Sequence, residues 1–246
     1  MNNKNTDLNK SKIKQSISAF FPCFNDAGTI STMVLLADRT LPNLTDNYEV
    51  IVVNDGSSDA SQELLEELEK IFPHLKILTH HRNLGYGAAL RAGFKNSSKD
   101  LIFYTDGDAQ YDVRELKTLI DALEEGVEVV NGYKISRSDP WHRKIIGRIY
   151  HWIVRIMFNI KLKDIDCDFR LINKSVFNKI NLVSDTGIIC VEMMKKIQNT
   201  GFRIKEVPVH HYHRAYGKSQ FFNFRRLFQV GIGLIKLWWE LIILKD

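Results

Sequence analysis

The chain has 246 residues, 44% of them hydrophobic and 26% charged, with a net charge of +5. That composition suits one large globular domain, alone or with an appendage, and excludes a disordered chain, a collagen and a coiled coil. The three cysteines, Cys23, Cys167 and Cys190, form no CxxC pair and cannot frame a disulfide-rich fold, and their odd number fits a reducing compartment.

Residues 1–16 are polar and Lys/Asn-rich, and read as a flexible tail without the apolar stretch of a secretion signal. Strand and helix then alternate. Residues 17–22 (ISAFFP) form an apolar run that stops at a proline, and 30–41 have helical spacing. The β-branched run YEVIVVN (48–54) suits a strand buried on both faces. Ser57, Ser58 and Asp59 offer N-caps for a helix over 60–72. A strand at 75–79, a helix at 86–95, a strand at 100–105, a helix at 113–125 and a strand at 127–132 follow. This order predicts an α/β fold with a parallel, doubly wound sheet. The second half reads as a long helix at 141–160, an irregular acidic stretch at 162–171, helices at 174–180 and 187–200, a strand at 203–209, a polar loop, and a last helix at 221–244.

Charge is unevenly spread. Residues 100–128 carry nine acids against two bases, 134–161 seven bases against one acid, and 202–246 eight bases against three acids. A cation suits the first stretch and an anionic partner the other two. No nucleic-acid partner is expected.

Ligands of open parallel sheets bind beyond the carboxyl ends of the strands. Three predicted strands run into acids there: Pro22-Cys23-Phe24-Asn25-Asp26, Asn54-Asp55-Gly56, and Asp106-Gly107-Asp108-Ala109-Gln110. Asp106 and Asp108, with a glycine between them and Gln110 two residues on, supply the oxygens that a hard divalent cation takes alongside phosphates and water. Asp55 is a strand-end acceptor suited to a ribose or a base N–H. The run His81-Arg82-Asn83-Leu84-Gly85-Tyr86-Gly87 opens a helix but has Leu90 where a dinucleotide fingerprint needs a small residue; its glycines would let backbone approach a ligand. His210, His211 and His213 have no fourth ligand at zinc spacing.

FPCFNDAGTI, VVNDGSSD, HRNLGYGAALRAGF and the Asp106–Gln110 motif together resemble the family 2 glycosyltransferases of the GT-A fold. Arg143 to Arg148, Asp164 to Leu171, Glu192-Met193, Glu206 to Val209 and Arg214 to Ser219 extend the likeness to dolichyl-phosphate mannosyltransferase and bacterial polyprenyl-phosphate relatives, over roughly 17–230. The resemblance implies a nucleotide-sugar site made by Pro22, Phe24, Asp26, Val53, Asp55, Asp106, Gly107, Asp108, Lys134, Arg214, Lys218 and Gln220. Asp106, Asp108 and Gln110 would hold Mg²⁺ or Mn²⁺, with Asp108 and Arg214 as catalytic residues. Arg143, Lys144 and Arg148 would hold an acceptor phosphate. The chain departs from the mannosyltransferases at Asp26 (for Glu), Lys134 (for Arg), Gln220 (for Lys) and Gly147 (for Ser), so the sugar stays open.

The expected activity is metal-dependent, inverting transfer of a hexose from a GDP-mannose or UDP-glucose type donor to a polyprenyl or dolichyl phosphate. Transfer to a sugar hydroxyl is the alternative, with Asp164, Asp166, Asp168 or Glu192 as base. A non-catalytic nucleotide-sugar-binding subunit is a third reading.

Along 145–160 the polar residues Arg148, His151, Arg155 and Asn159 share one stripe of an otherwise apolar helix. In 221–244, Arg225, Gln229, Lys236 and Glu240 do the same. Both fit helices lying in a membrane surface better than spanning one. The expected organisation is the tail, a GT-A domain over 17–220, and a membrane-associating helix over 221–246. The expected place is peripheral, on the cytoplasmic side of a membrane, with room for a membrane-embedded partner subunit.

Overall fold

The computed structural model of the protein describes residues 12–135, 141–214, 216 and 224–244, with backbone only for 141–144 and 224–229. Its centre is a seven-stranded sheet ordered β3-β2-β1-β4-β6-β5-β7. Strand β1 (Ile17–Cys23) is buried at every residue. It lies between β2 (Tyr48–Asn54) and β4 (Leu101–Thr105), parallel to both. β3 (Leu75–Thr79) pairs parallel to β2, and β5 (Val129–Lys134) pairs parallel to β7 (Ile204–Val209).

The two-residue period of the strands divides the core into two layers. Phe21, Val52, Phe103 and Leu171 face one layer, against α1 (Ile30–Thr40), α2 (Ser61–Ile71) and α4 (Leu116–Asp121). Phe20, Ile51, Ile102 and Ile172 face the other, against α3 (Tyr86–Asn96), α5 (Trp141–Phe158), α6 (Ile189–Asn199) and α7 (Phe224–Trp238). Burying both faces of so many strands explains why they read as apolar runs rather than alternations.

Three expectations are corrected. The stretch at 162–171 is not wholly irregular: Phe169–Asn173 is strand β6, antiparallel to β4 and β5. Its first four residues are buried, and Arg170 breaks the apolar pattern that would have announced it. The helix expected over 113–125 is a 3₁₀ turn, Val113–Glu115, followed by α4, which stops at Asp121. Beyond it, Glu124 pairs with Lys205 and the Glu125 carbonyl accepts from Arg203, so the chain is drawn toward β7 instead of extending the helix. Residues 174–178 form a 3₁₀ turn started by the Asn173 side chain, which accepts from Ser175 N.

Helices α5 and α7 each bury one stripe and expose another. Val154 and Phe158 of α5 and Leu234 and Leu237 of α7 lie in the core. Ile145, Ile149, Trp152, Ile153 and Ile156 of α5, and Ile232 and Ile235 of α7, remain exposed, with Ile156 at 74% and Ile235 at 64%. Trp239 in the π-helical turn after α7 is exposed as well. Among the described residues, no helix is long and apolar enough to cross a membrane.

Candidate active site

Strands β1, β2, β4, β5 and β7 point the same way, so their carboxyl ends share one edge of the sheet. β6 points the opposite way, so its entry, Asp164 to Asp168, reaches that same edge. The antiparallel strand is what brings the second acidic segment beside the first. The crevice beside β1, between β2 and β4, is where such sheets bind ligands.

The loop after β1 is stitched to the loop after β2. Asn25, in the left-handed region at φ 58, accepts from Ser58 N at 2.7 Å through its side chain and donates its own N–H to Ser57 Oγ at 3.0 Å. Asp59 accepts from Ala27 N at 3.1 Å and from Ser61 N at 3.0 Å. The Ser57–Asp59 run therefore joins two loops, and only Asp59 also serves the start of α2. Asp26 is pushed up to about 6 by burial, against the pull of the Phe24 amide; the charge of Asp108 raises it further and that of Arg214 lowers it. Val53 points into the core, its backbone paired in the sheet, and Pro22 O accepts from Gly107 N at 3.2 Å. Phe24 is half-buried at the loop's start.

Asp55 is 3% exposed and lies at the centre of a turn. Its Oδ1 accepts from Leu84 N at 2.9 Å and lies 2.7 Å from His80 Nδ1, and its Oδ2 accepts from Gly85 N at 2.9 Å. The glycines of this turn do not open backbone to a ligand, as their sequence suggested. A Cβ at Gly85 or Gly87 would strike the carbonyl of Asp185 or Ser184, and Gly85 sits at φ 102. They admit the chain's own loop.

Beyond β4, Gly107 is required by space: a Cβ there would come within 2.7 Å of Pro22 O. Thr29 Oγ1 donates to Gly107 O at 2.9 Å. Ala109 takes the left-handed region at φ 57, and Gln110 N then reaches Asp108 Oδ1 at 3.0 Å. Asp106 Oδ1 accepts from Tyr86 Oη at 2.7 Å. Burial, then the charges of Asp168 and Asp108, hold the Asp106 carboxyl well above its ordinary value. Burial likewise raises Asp108, which Arg214 partly offsets. Arg214 pairs with Asp108 and stands 3.9 Å from Asp26. Asp168 has its own partner in Arg170, and Asp26, Asp106 and Asp108 together concentrate more like charge than Arg214 relieves, so an oxygen-seeking cation fits that donor set. Among the described residues no group of three acids, cysteines or histidines is preassembled around a metal position, so donor phosphates would have to complete the shell. Gln110 donates through Nε2 to Tyr212 O at 3.1 Å.

On the far side, Lys134 Nζ donates to Asp166 O at 2.7 Å, and Lys134 N donates to Asp164 Oδ2 at 3.3 Å. Asp166 is pushed up to about 7 by burial, which Lys134 offsets in part. Asp168 pairs with the fully buried Arg170 at 3.2 Å and accepts from Cys190 Sγ at 3.1 Å. Glu192 is no base: it is fully buried and its carboxylate accepts from Val183 N, Ser184 N and Lys196 Nζ. Burial works to raise it, yet those bonds leave it below its ordinary value.

The loop after β7 closes the edge. Tyr212 N donates to Gln110 O at 2.8 Å, and His210 N donates to Glu115 Oε2 at 3.1 Å. His211 packs edge-on against Tyr111. His210 and His211 thus pack within this loop. Lys218 and Gln220 lie outside the described residues, as do the side chains of Arg143 and Lys144; Arg148 is exposed on α5.

Tyr86 was missed in the sequence, because its contact with Asp106 spans 20 residues of sequence and depends on where α3 docks.

The profile of Glycosyl transferase family 2 matches residues 18–181. The undecaprenyl-phosphate 4-deoxy-4-formamido-L-arabinose transferase of Aeromonas hydrophila is 27% identical over 219 residues, covering 87% of this chain and 65% of that protein. Its counterpart from Enterobacter sp. is 27% identical over 233 residues, covering 93% and 69%. The chain thus spans about two thirds of the length of these relatives. Among solved structures, glucosyl-3-phosphoglycerate synthase from Mycobacterium tuberculosis, in complex with Mn²⁺, UDP and glucosyl-3-phosphoglycerate, superposes with a TM-score of 0.68 at 16% identity, over 92% of this chain and 79% of that one. The same enzyme with Mg²⁺ and UDP gives 0.66 at 15% identity, over 92% and 79%. These likenesses are of the GT-A fold.

Proposed function

The chain belongs to glycosyl transferase family 2, and within that family we propose that it moves a sugar from a nucleotide-sugar to a polyprenyl phosphate at a membrane surface. The observation that carries this is the juxtaposition of the acidic edge with α5. Tyr150, on the inner side of α5, has its phenol held protonated by burial and then by the charge of Asp166, with Asp168 adding to it. The outer side of the same helix is exposed and apolar, with Arg148 exposed among those residues. A lipid phosphate lying against α5 would meet a donor held at the strand ends. Relatives named for undecaprenyl-phosphate transfer support the acceptor class. Their formamido-arabinose is a pentose derivative, so the donor is proposed as a sugar wider than hexose.

Pro22, Phe24, Asp26, Val53 and Asp55 would hold the nucleoside. Asp106, Asp108 and Gln110 would hold a divalent cation, Mg²⁺ or Mn²⁺, which when bound neutralises charge on the leaving diphosphate. Arg214, now on Asp108, would turn to the diphosphate oxygens, with Lys134, Lys218 and Gln220 as further contacts. An acceptor phosphate monoester has a second pKa near ~6 and is mostly dianionic at neutral pH. Its oxygen attacks the anomeric carbon as the bond to the diphosphate breaks, which inverts the centre and needs no base. Arg143, Lys144 and Arg148 would hold that phosphate. The hydroxyl-acceptor alternative needs a base, a role that Asp166, raised by burial to about 7, would take. The cytoplasmic side is proposed on the three cysteines, all free and buried.

The test is a panel: purified protein, Mg²⁺ or Mn²⁺, labelled UDP- and GDP-sugars including UDP-linked pentose derivatives, and undecaprenyl phosphate or a soluble saccharide as acceptor. A labelled lipid establishes the proposal. Transfer only to the saccharide replaces it with the hydroxyl reading, and donor binding without any turnover replaces it with a binding subunit.

Arg148→Ala should raise the KM for lipid phosphate about tenfold, the loss of one charge-assisted bond, with the donor KM unchanged. An equal rise in both would remove Arg148 from the acceptor site. Trp152→Glu with Ile156→Glu should release the protein from sedimented anionic vesicles, since two exposed apolar side chains become charged. Undiminished sedimentation would rule α5 out as the docking face.

A further inference from the structure

We propose that Tyr86 is a positioning residue for Asp106, anchored at its other end by Asp55. The inference rests on the cation reading above and names a part of the site that neither the motifs nor the family match assigns.

Tyr86 is the first residue of α3, and its backbone is fixed from two sides. On one side, the Asp55 carboxylate takes the amides of the two preceding residues, Leu84 and Gly85, both at 2.9 Å. On the other, Gly87 N donates to Asp185 O at 2.9 Å, and Arg91, one turn further along α3, donates to Val183 O at 3.0 Å and pairs with Asp185. Gly85 can hold its positive φ against the Asp185 carbonyl because it has no Cβ. The start of α3 is therefore clamped between β2 and the 183–185 loop, and the tyrosine side chain has one place to go. There its hydroxyl meets Asp106 Oδ1 at 2.7 Å.

The consequence is for the carboxylate. The phenol hydroxyl donates and the carboxylate oxygen accepts. This bond occupies one lone pair of Oδ1 and restricts the rotation of the Asp106 carboxyl plane, so that Oδ2 is the oxygen it leaves for a cation. Partners of ligating carboxylates act in this way, and removing one typically costs ~10–100-fold in metal affinity. The acid that serves the nucleoside and the acid that serves the cation are thus joined through three consecutive residues, 84 to 86.

Tyr86→Phe keeps the ring and its packing and deletes only the hydroxyl. Free Mn²⁺ is followed by electron paramagnetic resonance as it is titrated into full-length protein with saturating UDP or GDP, and nucleotide binding without metal is measured in parallel. The expected result is Mn²⁺ affinity about tenfold weaker. Metal-free nucleotide affinity and thermal midpoint should match the unaltered protein. Against an Asp106→Asn background the same change should do nothing further to Mn²⁺ binding. Mn²⁺ affinity equal to that of the unaltered protein overturns the proposal, as does an equal loss in the Asp106→Asn background, which would place Tyr86 in the general packing. If the unaltered protein binds no Mn²⁺ with either nucleotide, the cation reading fails and the Tyr86 assignment falls with it.

Discussion

Asp108→Asn is expected to lower turnover by about 10²–10³-fold while leaving the fold as stable as before. The first half follows from what the carboxylate would do. A bound cation stabilises several kcal/mol of charge on the leaving diphosphate, and each 1.36 kcal/mol is tenfold in rate. The amide cannot bind the cation as a carboxylate does. The second half follows from what surrounds it. Asp108 is 4% exposed and burial already resists its ionisation, with the charge of Asp168 adding to that resistance. A neutral side chain of the same shape relieves both and keeps the oxygen that accepts from Gln110 N. The loss is the pair with Arg214, whose side chain is 26% exposed and can turn to water. A thermal midpoint several degrees lower would show Asp108 to be structural. Full turnover in the donor panel would end its assignment to the cation.

Arg170→Leu should act in the opposite sense, on the fold before the chemistry, and cost about 3–5 kcal/mol. The guanidinium is fully buried and spent in four directions: Nε donates to Asn131 Oδ1 at 2.7 Å, one terminal nitrogen to Tyr104 Oη and to Asp168 Oδ1, and the other to Ile165 O. A leucine fills part of the space and leaves the partly buried Asp168 carboxylate without its cation, together with an amide oxygen and a carbonyl that lose this donor. Lysine would not restore it, since a point charge cannot serve four acceptors laid out for a fork. Urea unfolding measures the effect. A change below ~1 kcal/mol would mean that water or Cys190 takes over at Asp168, and that this network does not hold the β6 entry in place.

The two substitutions separate what was legible from what was not. Asp108 could be found from its neighbours in sequence: a β-branched and aromatic run, then two acids with a glycine between them, is a strand end with oxygens on it. The alternation through residue 134 was legible for the same reason, as were Asp26 and Asp55. Period and punctuation are local properties. So were the two amphipathic helices, whose apolar residues outnumber what a single buried stripe needs.

Arg170 and Asp168 were not placed correctly because the segment that carries them pairs with strands nearly 70 and 40 residues away. Nothing local says that a five-residue strand runs antiparallel between two parallel ones, and only that direction puts Asp168 next to Asp106. Glu192 had the right chemistry for a base and the wrong surroundings. Its carboxylate is the cap of a loop. The glycines after Leu84 looked open to a ligand, and the fold had already filled their space with the 184–185 backbone.

By itself the sequence determined the α/β alternation, the acids at the strand ends and the amphipathic helices, because each is written in residues close enough to share one element. The tertiary structure alone decided the reversed strand β6, the clamp that aims Tyr86 at Asp106, and which acids keep a free face. Those depend on distance through space and on burial, and both are set only when the sheet has closed on its helices.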